Sequence, residues 1–268
     1  MSQVNLVCAE ADDVCVWSEM KREAASYAVR EVALSSLLHA TVLDQQDLGS
    51  ALVNHLAEKL ATGDFSALKL RKVLSEALDS DAGLVPCIAR DLQAVRDRDP
   101  ACHSFLQCFL YFKGFLAIQT HRCAHALYKA GRDLLAYHLQ SRSSELFGVD
   151  INPAAEIGCG IMLDHATGFV MGETARLGDD CSILQGVTLG GTGKTDQDRH
   201  PKIGNRVLIG ANASVLGNIR IGDGALIAAG SVVLKEVPEN CTVAGVPAKP
   251  VGGSCGDPAA SMDQGFKA

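Results

Sequence analysis

From Val16 to Leu43 the apolar residues Ala25, Ala28, Val29, Val32, Leu37 and Leu38 return at roughly helical spacing, and Ser18 can cap the start. The same period predicts further helices over about 47–61, 66–79, 84–97, 104–127, with a break near Gly114, and 132–146. Gly63, Gly83, Pro100, Gly131 and Gly148 fall at the joints, where residues that stop a helix belong. Near residue 148 the pattern changes. Leu and Ala give way to Gly, Ile and Val, and the chain lines up in sixes: INPAAE, IGCGIM, LDHATG, FVMGET, then LGDDCS, ILQGVT, then IGNRVL, IGANAS, VLGNIR, IGDGAL, IAAGSV. The leading positions are Ile151, Ile157, Leu163, Phe169, Leu177, Ile183, Ile203, Ile209, Val215, Ile221 and Ile227, with Leu189 and Val233 also in register. A period of six with an aliphatic lead predicts a hexapeptide β-helix, in which three hexads make one triangular coil and stacked coils bury a continuous aliphatic column.

Two departures from the period are informative. Between Phe169 and Leu177 the step is eight, and between Leu189 and Ile203 the chain inserts GGTGKTDQDRHPK. That polar, glycine-rich insertion cannot fit inside a packed coil and is expected to project as a loop, where binding groups collect on a rigid scaffold. The expected fold is therefore α+β and multidomain. A helical N-terminal domain (1–147) precedes a parallel β-helix (148–250) with a projecting loop at 190–202, and a Gly-, Ser- and Asp-rich segment (251–268) reads as a flexible tail.

Composition narrows the function. No apolar run approaches the ~20 residues of a membrane span, and no basic residue precedes the short apolar stretch in Met1 to Asp13, so a soluble chain that stays in the cytoplasm is expected. The ten cysteines are dispersed without a C-x-x-C pair, which favours reduced packing thiols over disulfides or zinc. A formal charge of −7 argues against nucleic acid as a partner, and an anionic ligand would need a local arrangement of donors.

Two ionisable neighbours, Asp164 and His165, interrupt a segment otherwise made of small and apolar residues. Of eight histidines only His165 and His200 lie in the hexapeptide half, and His200 follows Arg199 on the projecting loop. A histidine near neutral pKa suits a general base for a weak hydroxyl nucleophile, and a carboxylate on its other nitrogen would fix its tautomer. Asp164 is a poor candidate for that role, since neighbouring side chains on a strand diverge, whereas Asp150 lies close to one coil away. Asp99 precedes Pro100 in RDRDPA and is expected to leave helical geometry; the bland reading is a helix end with a solvated carboxylate.

At these residues the chain resembles the bacterial serine O-acetyltransferases of cysteine biosynthesis. The resemblance runs through RDPA, VDINPAAEIGCGIMLDHATG, TLGGTGK, DRHPKIG and AGVPAKPV and covers nearly the whole chain. It implies left-handed coils, trimers around the β-helix axis, and two trimers joined through the helical domains into a homo-hexamer, with sites between adjacent β-helices. It further implies acetyl transfer from acetyl-CoA, a co-substrate, to L-serine without a metal, with Asp150 and His165 as the catalytic pair. Asp99, Asp164, Arg199 and His200 would surround the amino acid. Acetyl-CoA would run past Gly191, Thr192, Ala211 and Ala229, although tight coil corners call for small residues in any case. L-cysteine is expected to compete with serine as a feedback inhibitor. The family's partner, O-acetylserine sulfhydrylase, receives a C-terminal isoleucine; this sequence ends in alanine, so weak or absent binding is expected.

Two rival readings share the hexads. An acetyltransferase for a sugar or antibiotic hydroxyl would lack the large helical half. A zinc β-helix of the γ-carbonic anhydrase sort would need a third histidine beside His165 and His200.

Overall fold

The computed structural model describes residues 13–193, 196–252 and 256–263. The expectations that turn on the first twelve residues and on the terminal alanine lie outside the described residues. The helical part consists of α1 (Asp13–Arg30), α2 (Val32–Leu38) running into a π-turn (His39–Leu43), α3 (Leu48–Leu60), α4 (Ala67–Asp79), α5 (Leu84–Arg98), α6 (Phe105–Tyr111), α7 (Lys113–Lys129) and α8 (Asp133–Phe147). Local chemistry sets several of these ends. Asp47 and Ser50 form a reciprocal capping box at α3, Ser104 accepts from the Gln107 amide at α6, and α8 stops on Gly148, which takes the left-handed conformation at φ 67°.

The single first helix expected from Val16 to Leu43 is broken at Glu31. Ser18 does not cap it; its hydroxyl donates to the Val14 carbonyl at 2.7 Å inside α1. The buried face of α1 carries Val16, Met20 and Ala24, while Val29 and Val32 are 81% and 79% exposed. The expected break near Gly114 falls at Phe112, whose ψ of 105° separates α6 from α7.

The second half is built from β1 (Val149–Ile151), β2 (Glu156–Ile157), β3 (Met162–Leu163), β4 (Phe169–Met171), β5 (Arg176–Leu177), β6 (Ser182–Ile183), β7 (Thr188–Gly190), β8 (Lys202–Ile203), β9 (Leu208–Ile209), β10 (Ser214–Leu216), β11 (Arg220–Ile221), β12 (Leu226–Ile227), β13 (Val232–Val233), β14 (Thr242–Ala244) and β15 (Lys249–Gly252). They stack into three sheets, β1-β4-β7-β10-β13, β2-β5-β8-β11 and β3-β6-β9-β12-β14, with β15 antiparallel to β14. These sheets are the faces of a triangular prism of about five turns, the left-handed β-helix of hexapeptide repeats. Its aliphatic column is continuous with the helical core.

Strand pairing corrects one lead position. Met171, not Phe169, is in register with Ile151 below and Leu189 above. The first coil therefore takes twenty residues, 151 to 171, and the second takes eighteen, 171 to 189. The two extra residues sit in the turn around His165, between Leu163 and Phe169, and not after Phe169 as the spacing suggested.

A polar junction ties the helices to the first coil. Asp91 of α5 and Arg122 of α7 form a buried ion pair at 2.8 Å. Asp91 also accepts from the Ile161 amide at 2.8 Å and from Gln119, while Arg122 donates to the carbonyls of Ile157 and Gly158. Arg98 donates to the Gly160 carbonyl at 3.0 Å. The dispersed cysteines favour reduced packing thiols over disulfides; Cys87 of α5 is instead disulfide-bonded to Cys159, with Cα atoms 4.9 Å apart. A separation of 72 residues hid this pairing, which follows from α5 lying across the turn before β3. In the segment expected to be a flexible tail, α9 (Pro258–Ser261) packs with Pro258 and Ala259 buried, and Ser182 donates to the Ala259 carbonyl at 2.8 Å.

Candidate active site

The turn that follows β3 carries the extra residues of the first coil and the candidate base. His165 and Ala166 both have left-handed φ values, 55° and 61°. Such values are uncommon outside glycine and pull the chain out of strand geometry. As a result the His165 side chain stands 74% exposed at the rim of a cleft of about 470 Å³. The cleft is walled by Asp99 and Ala101 at the end of α5, by Tyr111 to Phe115 at the α6–α7 joint, and by Met162 to His165.

Three expected site residues meet here. Asp99 ends α5 with extended ψ, as the following proline requires, and its Oδ1 accepts from the Ala101 amide at 2.8 Å. Asp164 Oδ2 lies 3.6 Å from His165 Nε2, within ion-pair range but too long for a hydrogen bond. This corrects the expectation that their side chains diverge: alternation holds along a strand, and His165 has left it. Burial raises the Asp164 carboxyl above its ordinary range; His165 opposes the shift and Asp99 adds to it.

Asp150 is not brought onto His165. It sits on β1 opposite Val170, and its Oδ1 accepts from Gln140 Nε2 of α8 at 2.6 Å. Among the described residues no hydrogen bond or ion pair joins Asp150 to His165.

Arg199 and His200 occupy a different edge of the prism. Chain order runs from the β4 face through residues 172–175 to the β5 face, and the long loop leaves β7 and enters β8 at the same edge. There Arg199 donates to Glu173 Oε2 at 2.7 Å and its amide to Thr174 Oγ1. His200 is buried against Gly172, where a Cβ would lie 2.0 Å from His200 Nε2. The Thr174 amide donates to His200 Nδ1 at 3.2 Å, which assigns the ring proton to Nε2. Burial, with help from Arg199 and Lys202, lowers the His200 pKa and keeps the ring neutral near pH 7.

The small residues divide between the same two edges. On the His165 edge Thr167, Gln185, Ala211 and Ala229 stand one above another, the carbonyls of the first three accepting the amides of Gly186, Asn212 and Gly230 from the next coil. Gly191 and Thr192 belong to the Arg199 edge, where a Cβ on Gly191 would come within 3.1 Å of Arg199 Cγ. One chain thus carries both halves of the expected site on separate edges. Among the described residues no three His, Cys, Asp or Glu side chains gather to hold a metal, and no helix is long and apolar enough to cross a membrane.

Several cleft residues escaped the sequence reading. Gln107, Tyr111 and Lys113 line it. A Cβ on Gly114 would fall 1.9 Å from the Leu163 carbonyl oxygen, so only glycine lets α7 rest directly on the backbone that leads into Asp164. The one available signal was a glycine inside an otherwise helical pattern.

Comparison with known proteins agrees with this fold. Residues 16–120 match the model for the serine acetyltransferase N-terminal domain, and residues 200–235 match the bacterial transferase hexapeptide repeat. Serine acetyltransferase from Salmonella typhimurium is 54% identical over 252 residues, 94% of this chain and 92% of its own. Among solved structures, the Neisseria gonorrhoeae serine acetyltransferase in complex with serine aligns with TM-score 0.86 at 55% identity, over 88% of this chain and 97% of its own. The Brucella abortus enzyme in complex with coenzyme A aligns with TM-score 0.88 at 52% identity, over 90% and 96%. A serine acetyltransferase in complex with cysteine aligns with TM-score 0.94 at 49% identity, over 96% and 100%. The chain belongs to the serine acetyltransferase family.

Proposed function

We propose that this protein transfers the acetyl group of acetyl-CoA to the hydroxyl of L-serine, giving O-acetyl-L-serine and CoA. The observation that carries the reading is His165, exposed at the rim of a cleft that also holds Asp99 and Asp164. The serine hydroxyl is a weak nucleophile at neutral pH and needs a base within hydrogen-bond reach. His165 takes the hydroxyl proton as the oxygen bonds to the thioester carbon. The C–S bond then breaks, and the proton passes to the departing thiolate of CoA. Asp99 and Asp164 hold the substrate ammonium. Asp150 serves as the carboxylate that stabilises the imidazolium, a role that requires it to exchange its Gln140 partner for His165 when substrates are bound.

The α-carboxylate calls for a cation, and Arg199 supplies it from the edge of a neighbouring subunit in a trimer, with the neutral His200 beside it as a hydrogen-bond donor. The stack of Ala211 and Ala229 on one edge, facing Gly191 and Thr192 on the other, forms the groove for acetyl-CoA. The exposed Val29 and Val32 support the joining of two trimers through their helical domains into a hexamer. No metal takes part. Cysteine, which differs from serine only in its thiol, fits the same charged frame and inhibits by occupying it; the cysteine complex of the relative supports this.

Thiol release from acetyl-CoA, followed with a colorimetric thiol reagent, tests the reading. L-serine should drive release in the wild type, and His165→Ala should lose roughly 10² to 10⁴ of the rate. Release driven only by a sugar hydroxyl would move the protein to the rival acetyltransferases. Millimolar L-cysteine leaving the initial rate unchanged would remove the inhibition.

A further inference from the structure

The turn that presents His165 holds two consecutive non-glycine residues in left-handed backbone conformation. Such a turn persists only where its surroundings over-determine it. Within the turn, the Ala166 amide closes on the Asp164 carbonyl at 2.6 Å and the Thr167 amide on the His165 carbonyl at 2.7 Å. From the first coil the Gly148 carbonyl accepts the Gly168 amide at 2.7 Å. From the helical half, α7 arrives with its first turn directly on the β3 backbone at Gly114, and the neighbouring Lys113 Nζ donates to Thr167 Oγ1. The Thr167 hydroxyl also reaches the His165 carbonyl at 3.4 Å. Lys113 is the one lysine or arginine among the described residues lining the cleft.

We propose that Lys113 is a positioning residue for the reaction: its ammonium, bonded to the Thr167 hydroxyl, clamps the His165 turn from the helical domain and fixes the imidazole at the cleft rim. Lys113 acts through Thr167 and does not move a proton. This gives the helical half a direct part in catalysis that the hexapeptide repeats alone lack. The inference rests on His165 being the base, and its test separates the two claims.

The experiment compares the full-length wild type with Lys113→Met, Thr167→Val, the double variant and Lys113→Arg. Three readouts are taken: steady-state kinetics for both substrates, melting temperature, and hydrogen–deuterium exchange of the peptide spanning residues 160–172. A group misplaced by about 1 Å loses on the order of 10²-fold in rate, so a loosened clamp should lower kcat by about 10-fold or more while leaving the serine KM within about twofold. The double variant should be no worse than the poorer single one, because both remove one link. Lys113→Arg should recover most of the rate, and exchange across 160–172 should quicken in Lys113→Met. An unchanged kcat, an additive double variant, a loss confined to KM, or unaltered exchange would each overturn the clamp. If the wild type itself shows no serine-dependent thiol release, the functional reading fails, and the exchange measurement still decides whether Lys113 holds the turn.

Discussion

Replacing Gly114 by alanine should destabilise the protein and disable it, against the usual sign of such a change. In an ordinary helix Gly→Ala adds up to about 1 kcal/mol of stability by reducing the freedom of the unfolded chain. Here the new methyl would lie 1.9 Å from the Leu163 carbonyl oxygen, 2.9 Å from its carbon and 3.3 Å from Ala166 Cβ. A carbon–oxygen contact settles near 3.3–3.6 Å, so the helix and the β3 backbone must part by about 1.4 Å or more. Neither obstacle is the tip of a flexible side chain, so overpacking of about 1–3 kcal/mol outweighs the helical gain. The net expectation is a loss of roughly 0.5–2 kcal/mol, read from urea unfolding. Because the strand that moves leads directly into Asp164 and His165, kcat should fall by about 10²-fold in thiol release. A Gly114→Ala variant with wild-type kcat and equal or greater stability would refute the reasoning.

Further consequences follow from the junction and the cleft. Arg122→Met leaves the Asp91 carboxylate buried without its ion pair and should cost about 3–5 kcal/mol in urea unfolding, while replacing both residues by apolar ones of similar size should cost less than either alone. A loss below about 1 kcal/mol for Arg122→Met would contradict the role assigned to the pair. Burial raises the Asp164 pKa, so the folded state binds that proton more tightly than the unfolded chain, and ionisation of Asp164 costs stability as pH climbs through the raised value. The stability of Asp164→Asn relative to wild type should therefore improve from about pH 4 to pH 7, even as activity falls. A difference that stays level with pH would contradict the shift.

The hexads were legible because a single aliphatic position repeats every six residues and each coil repeats the register of the last. The placement of the extra residues was not, because Phe169 and Met171 are both apolar and both buried, and only strand pairing tells which one leads. Asp99 was legible through Pro100, whose ring constrains the residue before it. The Asp164–His165 approach was missed because alternation assumes a strand, and two positive φ values end the strand at that point. Asp91 and Arg122 are ordinary charges on amphipathic helices in sequence, and only the packing of α5 and α7 on the first coil makes them a buried pair. Lys113 likewise looks like a solvated lysine until the start of α7 is set against Thr167.

The central claim is that one chain carries two half-sites on separate edges and that neighbouring subunits complete them. Unfolding together and refolding equal amounts of His165→Ala and Arg199→Ala chains tests it most directly. Each variant alone should be nearly inactive in serine-dependent thiol release. If sites form between subunits, random mixing pairs an intact His165 edge with an intact Arg199 edge in about a quarter of sites, and about a quarter of wild-type activity should return. Mixed refolding that yields no more activity than the separate variants would mean that both residues serve one site within a single chain, and the account of the shared cleft would be wrong.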